Sequence, residues 1–476
     1  MPIHPCRCLI ISGNLLLGAL LITPAGAVSQ AAGADVTGTW EGTLDAGTAQ
    51  LRLVVHVTRA DDGALTGTLD SPDQGATAIP LTAVEGGEGR LAFSVQSLGV
   101  SFEGTLGTDG GVTGTFTQGP VSLPLTLRQV DRPTEPSRPQ LPREPFPYRT
   151  EDVSIETPSP GVVLAGTFTF PAGEGPFPAV VLVSGSGPQD RDETIMGHKP
   201  FLVLADHLTR AGIAVLRYDD RGVGGSTGSF AAATSEDFSV DAVAAVQWLA
   251  RRNDIAVVGI VGHSEGGLIG PMAAARSDDI GFLVLLAGPG IPGAQILDLQ
   301  AAMINRVAGA PEEVIRRNRE LQQELFAILR SEPDTAAASA RLRAALERAA
   351  STLPDGSIQR GRIDAELIQL NSPWFRFFLD YDPRPALEQV RVPVLALNGG
   401  KDLQVPPNAN LPEVRAALER GGNPDVTTRV LPGLNHLFQT AATGGPEEYA
   451  RIPETLSPLA LDAVRDWILE RFGPTG

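Results

Sequence analysis

Gly259-Ile260-Val261-Gly262-His263-Ser264-Glu265-Gly266-Gly267 is a glycine-rich turn around a single serine. A β-rich apolar run, Ile255 to Val261, enters it, and a run of small residues with helical character, Gly266 to Ala275, leaves it. Between them Gly262-His263-Ser264-Glu265-Gly266 has the form G-x-S-x-G, an elbow that lifts a serine above the end of a strand. So tight a turn needs flanking residues without side chains and holds the serine in a strained, exposed conformation. Ser264 is therefore the candidate nucleophile.

A serine hydroxyl needs a base within hydrogen-bond reach, and the base needs a carboxylate to orient it. Where this elbow is used, acid and then base follow the serine along the chain. Of the six histidines, His4, His56, His198, His207 and His263 precede Ser264, leaving His436 in Pro432-Gly433-Leu434-Asn435-His436. The acid should end the preceding strand, and Val394 to Leu397 runs into the loop that carries Asp402. Asp380 and Asp382 lie before that strand and are less well placed. Oxyanion donors are expected from the Glu265 N–H and from the loop Ser184-Gly185-Ser186-Gly187-Pro188, with Ser186 favoured and Gly185 the alternative. His263 reads as a packing residue. Asp219-Asp220-Arg221-Gly222-Val223-Gly224-Gly225-Ser226 lacks the Lys-Ser/Thr of a phosphate loop and reads as a structural turn, with Arg221 paired to an acid.

Around the elbow, strands and helices alternate from Tyr148 onward, as in a mostly parallel α/β sheet. Val153 to Ile155 and Val163 to Phe170 predict an opening antiparallel pair, followed by strands at Ala179 to Val183, Ala214 to Tyr218, Ala256 to Val261 and Phe282 to Leu286. Pro200 to Ala211 predicts a helix, and Thr234-Ser235-Glu236-Asp237 a capping box opening another. The alternation stops over about residues 290–385, where a charged helical pattern predicts a cap inserted over the C-terminal ends of the strands. It closes on Ser372-Pro373-Trp374-Phe375-Arg376-Phe377-Phe378-Leu379. Trp374 and Phe375 are candidates to line a substrate pocket, or equally to form the core that seats the cap. Val394 to Leu397 and Thr427 to Leu431 resume the sheet, and Leu456 to Phe472 predicts a closing helix.

Upstream, residues 36–130 are β in texture, with short runs such as Thr39 to Leu44, Leu51 to Thr58 and Ala78 to Val84 between turn signals. About eight strands at even spacing predict a small barrel or sandwich. Residues 131–147 carry Pro133, Pro136, Pro139, Pro142, Pro145 and Pro147 and read as a semi-rigid linker. Residues 1–27 read as a signal peptide, with Arg7, an apolar run from Leu9 to Ile22, and Ala25-Gly26-Ala27 as the cleavage site. Both cysteines, Cys6 and Cys8, would leave with it, which excludes disulfides and thiol catalysis from the remaining chain. An exported protein, periplasmic or secreted, is expected.

The 476 residues leave room for roughly two or three domains. A formal net charge of −18 argues against nucleic acid as a partner. No long internal apolar run predicts a membrane span once the signal is removed, and no histidine and carboxylate cluster suggests a metal. Oligomeric state is not encoded in any readable pattern.

With these residues in hand, residues 148–476 resemble the α/β-hydrolase superfamily. The elbow Gly262 to Gly267, the loop Ser184-Gly185-Ser186-Gly187-Pro188-Gln189-Asp190-Arg191-Asp192 and Ser372-Pro373-Trp374-Phe375 look like bacterial carboxylesterases of the EstD type, which also carry an extra N-terminal domain. Many of those relatives have His-Gly where this chain has Ser184-Gly185. The resemblance implies a Ser-Asp-His carboxylesterase acting on small, short-chain acyl esters without a cofactor, and agrees with Ser264, Asp402 and His436 by position. Two other functions fit the same residues. One is a serine aminopeptidase or amidase using this triad; the other is a ligand-binding β module with a degenerate hydrolase attached.

Overall fold

A computed structural model describes residues 35–473 apart from 46–49, 75, 88, 120, 135–136 and 352–359. The expected signal peptide lies outside the described residues. The chain divides into two compact units, and the division falls between Ser137 and Arg138, inside the proline-rich segment.

The first unit is a single antiparallel sheet. Its strands are β1 (Gly38–Asp45), β2 (Gln50–Arg59), β3 (Leu65–Ser71), β4 (Ala76–Pro80), β5 (Ala83–Gly87), β6 (Arg90–Val95), β7 (Val100–Leu106), β8 (Gly111–Gln118) and β9 (Val121–Val130). They pair in the order β4-β3-β2-β1-β9-β8-β7-β6-β5. Consecutive strands are neighbours except β4 and β5, while β9 returns to pair with β1, so the sheet is a meander curled like a barrel with its seam between β4 and β5. Alternate side chains point inward, and Trp40, Val55, Leu91, Phe93, Phe102, Phe116 and Leu125 fill the interior, as small barrels do. The single strand expected over Ala78 to Val84 is in fact two. Pro80 has no N–H for the ladder, and directly after it the Leu81 N–H bonds Gly67 while the Thr82 N–H bonds Ser94. The chain crosses from one edge of the sheet to the other at this point.

The second unit is built on an eight-stranded sheet: β10 (Tyr148–Glu156), β11 (Val163–Pro171), β12 (Phe177–Val183), β13 (Ala214–Tyr218), β14 (Ile255–His263), β15 (Phe282–Leu286), β16 (Val394–Gly399) and β17 (Val426–Leu431). Its order is β10-β11-β13-β12-β14-β15-β16-β17; β10 and β11 are antiparallel to their neighbours and the other strands run parallel. Helices α1 (Pro200–Arg210), α2 (Ser235–Ala250) and α3 (Glu265–Ala274) follow β12, β13 and β14. After β15 come the cap helices α4 (Gly293–Val307), α5 (Glu312–Ser331), α6 (Thr335–Ser351), α7 (Arg360–Leu370) and α8 (Pro373–Asp380). The short α9 (Arg384–Leu387) leads back to β16, and α10 (Pro407–Arg420) and α11 (Pro458–Phe472) complete the unit.

The near-continuous apolar run of β12 follows from its burial on two faces. Ala179, Val181 and Val183 join a core with residues of α2, α3 and α10. Val180 and Leu182, pointing the other way, join one with residues of α1 and α11. The capping box forms at the head of α2, where the Asp237 carboxylate accepts the Thr234 N–H at 2.9 Å. The cap has a core of its own, including Leu325, Phe326, Leu342, Leu367, Phe375 and Leu379.

One helix lies outside the sequence expectations, and the linker shows how it is held. Helix α10 was not anticipated, because Pro406, Pro407 and Pro412 mask its periodicity; Pro407 sits in its first turn, where a missing N–H costs nothing. The proline-rich segment is held at its two ends by different units. Thr134 donates its N–H to Glu41 at 2.6 Å, whereas Arg138 and Gln140 bond the main chain at Ala450, Ile452, Thr455 and Leu456.

Candidate active site

Ser264 sits between β14 and α3 with φ 53° and ψ −114°, a left-handed conformation that non-glycine residues rarely adopt. The turn is held by the Ser264 N–H on the Leu286 carbonyl at 2.8 Å and by the Gly267 N–H on the Ser264 carbonyl at 2.9 Å. Its glycines are required by close approach. A Cβ on Gly262 would lie 2.1 Å from the Gly266 carbonyl oxygen, and one on Gly266 would lie 2.0 Å from that of Val183.

The sheet order brings the expected partners to this point. β14 lies inside the sheet, β16 two places away and β17 at the edge beyond it, so the loops leaving all three open at the same end. The Ser264 Oγ is 3.1 Å from His436 Nε2, and His436 Nδ1 is 2.9 Å from Asp402 Oδ2. Asp402 is 1% exposed and its other oxygen accepts the Gln404 and Val405 N–H groups, each at 2.8 Å. An acceptor-only carboxylate assigns the ring proton to Nδ1, leaving the Nε2 lone pair for the serine hydroxyl. The His436 loop is braced by Asn435 and Gln439, which exchange side-chain and backbone hydrogen bonds at 2.9 to 3.0 Å. The rival acids are engaged elsewhere, Asp380 with Arg330 and Asp382 with Arg384.

In the loop after β12, the Gly185 N–H donates to Glu193 Oε1 at 2.7 Å, which removes it from the candidate oxyanion donors. Among the described residues the Ser186 N–H has no acceptor, and the Glu265 N–H is in the first turn of α3, where a helix leaves its donors open. The Gly-rich turn is the anchor for this loop. Asp220 accepts from the Gln189 N–H and the Ser184 hydroxyl, and Asp219 from Arg191. Arg221 is paired with Asp241 through two 2.7 Å bonds, as expected of a structural residue.

This chain matches the α/β hydrolase family over residues 180–452. It belongs to that family. Among curated relatives, this hydrolase is 27% identical to Esterase EstD of Thermotoga maritima over 330 residues, 69% of each chain. Solved structures similar to it include an esterase, Pf2001, of Pyrococcus furiosus (TM-score 0.41, 16% identity, 69% of this chain and 92% of that one). Another is Est1E of Butyrivibrio proteoclasticus with ferulic acid bound (TM-score 0.39, 18% identity, 67% of this chain and 98% of that one).

Two further groups beside the hydrolase's elbow were not legible in the sequence. His263 is not merely a packing residue: its Nδ1 is 2.8 Å from Glu193 Oε1 and its Nε2 is 3.0 Å from the His436 carbonyl oxygen. Burial disfavours a charged imidazole, but the Glu193 carboxylate, its hydrogen bond and the His436 carbonyl outweigh it and raise the His263 pKa above the ordinary histidine value. The buried Glu265 carboxyl accepts the Ser235 hydroxyl at 2.6 Å and the Trp374 indole N–H at 2.7 Å. Its pKa is raised by burial, which those two bonds only partly offset. Trp374 thus joins the cap helix α8 to the elbow, stacking on Phe378 with ring centroids 5.3 Å apart. Phe375 is 5% exposed and belongs to the core of the cap beside Phe326. These contacts give both aromatics a seating role.

Proposed function

We propose that this chain is an exported serine carboxylesterase that hydrolyses short-chain acyl esters through an acyl-enzyme on Ser264. The observation that carries the reading is the hydrogen-bonded series Ser264–His436–Asp402 on a serine held at positive φ. In the first half-reaction His436 Nε2 takes the hydroxyl proton as Oγ attacks the ester carbonyl. The oxyanion is received by the Glu265 and Ser186 N–H groups, and the imidazolium returns the proton to the departing alcohol. In the second half-reaction water, deprotonated by His436, attacks the acyl-serine and releases the acid and the free hydroxyl. Asp402 stays ionised throughout and stabilises the imidazolium. No cofactor is needed for these steps. The relative named Esterase EstD supports an ester as substrate. Export is proposed from Arg7, the Leu9 to Ile22 run and Ala25-Gly26-Ala27 alone.

Ser264→Ala assayed with p-nitrophenyl butyrate tests the nucleophile, with an expected fall in kcat of about 10⁴-fold or more. Undiminished turnover would sink the proposal. A panel of aminoacyl amides assayed beside the esters addresses the substrate, and amides cleaved faster than any ester would make the chain a peptidase or amidase instead.

A further inference from the structure

Glu193 and His263 form a second hydrogen-bonded pair beside Ser264 that the acyl-transfer steps do not use. Both side chains are buried, 5% and 9% exposed. The His263 Nε2 faces the carbonyl oxygen of His436 at 3.0 Å. A carbonyl oxygen only accepts, so this nitrogen carries a proton. The Nδ1 faces Glu193 Oε1 at 2.8 Å, and the same oxygen already receives the Gly185 N–H at 2.7 Å. An oxygen taking an amide proton and facing a ring nitrogen is best satisfied as part of an ionised carboxylate with a second donor opposite it. Both ring nitrogens then donate, and the imidazole is cationic.

We propose that Glu193 and His263 are a positioning pair, holding one proton between them, that fixes the oxyanion loop and the His436 main chain relative to the nucleophile. The inference rests on the reading of Ser264 as that nucleophile. Three separate parts of the chain meet at the pair: the loop after β12 through Gly185 and Glu193, the end of β14 through His263, and the loop after β17 through the His436 carbonyl. Their packing leaves little slack, since a Cβ on Gly185 would lie 3.2 Å from Glu193 Oε1, 3.3 Å from Ser264 Cβ and 3.5 Å from His263 Nδ1. With the Gly185 N–H engaged by Glu193, Ser186 is the one of the two candidate amides that stays open for the oxyanion.

The titratable groups facing the pair are His436, whose ring centroid is 5.0 Å from that of His263, with Asp402 beyond it, and Asp220, which senses the Glu193 charge. The Phe438 ring closes another side at 6.3 Å. Asp402 favours a proton on His263, as does Glu193, the acid that touches the ring.

Glu193→Gln keeps the shape and can still accept from Gly185, but it removes the charge that holds the second ring proton. The imidazole can then donate at only one nitrogen, and one of its two anchors is lost. The expected result is a fall in kcat of about 10- to 100-fold with KM within about 3-fold, because a displaced donor is felt at the transition state more than in substrate binding. The alkaline limb of the kcat profile should move to lower pH, since losing the anion makes His263 give up its proton more readily. A merely structural role would move neither the kcat-to-KM split nor that limb.

The experiment uses the full chain and begins with a fluorophosphonate probe and mass spectrometry of the wild type. Failure to modify Ser264 overturns the nucleophile reading itself. With Ser264 modified, a Glu193→Gln protein whose kcat stays within twofold and whose alkaline limb is unmoved overturns the positioning pair alone. Should that variant not fold, ¹⁵N-histidine spectra of the wild type at pH 7 decide the matter, with His263→Asn supplying the assignment. Two protonated ring nitrogens on His263 are expected, and a neutral single-proton tautomer there overturns the inference.

Discussion

At the residue scale, the orientation of one imidazole carries the proposed chemistry. Asp402 places the His436 proton on Nδ1, and only that tautomer offers a lone pair to the Ser264 hydroxyl. Asp402→Asn preserves the size and the bonds from Gln404 and Val405 but presents an N–H or a weaker acceptor to Nδ1. The expected outcome is a fall in kcat of about 10⁴-fold with little change in thermal midpoint, read by steady-state kinetics and calorimetry. His436 was legible because it is the only histidine after Ser264. Glu193 was not: it touches His263 across 70 residues of chain, and no local pattern encodes a contact between a loop and the end of a distant strand. What could have pointed to it is its place directly after the quoted loop ending at Asp192, in a charged run where a glycine-rich turn meets a helix.

Elements add a second kind of constraint, because α8 of the cap reaches the elbow through one hydrogen bond from Trp374 to Glu265. Trp374→Phe retains the ring but leaves the buried carboxyl with the Ser235 hydroxyl as its remaining partner. Glu265 has a folded pKa above its unfolded one, so between those values the folded state binds more protons and stability declines as pH rises. Removing the indole donor raises the folded pKa further and deepens that decline. Trp374→Phe should therefore cost little at pH 4 and about 1–3 kcal/mol at pH 8, measured by urea denaturation at the two values. Equal losses at both would mean that Glu265 ionisation is not what the indole stabilises. The strands of the α/β sheet were legible because burial on both faces imposes apolar runs such as Ala179 to Val183. Helix α10 was hidden by its prolines, and the Ala78 to Val84 run concealed a change of edge at Pro80.

On the scale of the whole molecule, the proline-rich segment is more than a spacer. Gln140 makes three hydrogen bonds to the main chain at Thr455 and Leu456. That stretch in turn bonds the His436 loop through Gln439 on the Glu454 carbonyl and the Ser457 N–H on the Phe438 carbonyl. Gln140→Ala should lower the stability of the α/β unit by about 1–3 kcal/mol in denaturant titrations, with the Gln140 partners left unsatisfied. An unchanged denaturation midpoint would show that water replaces those bonds without loss.

Legible in the sequence were a serine elbow closing a buried strand, Asp402 and then His436 after it, and a β module ahead of the α/β unit. These are local or ordinal properties, written in turn chemistry, apolar runs and the scarcity of histidine. The tertiary structure alone decided which loop amide stays open beside Ser264, which acid engages His263, and how Trp374 meets Glu265. Each of these depends on a hydrogen bond between residues far apart in the chain. Such a bond exists only once strand order has brought the loops to one end of the sheet and burial has made an unpaired polar group costly.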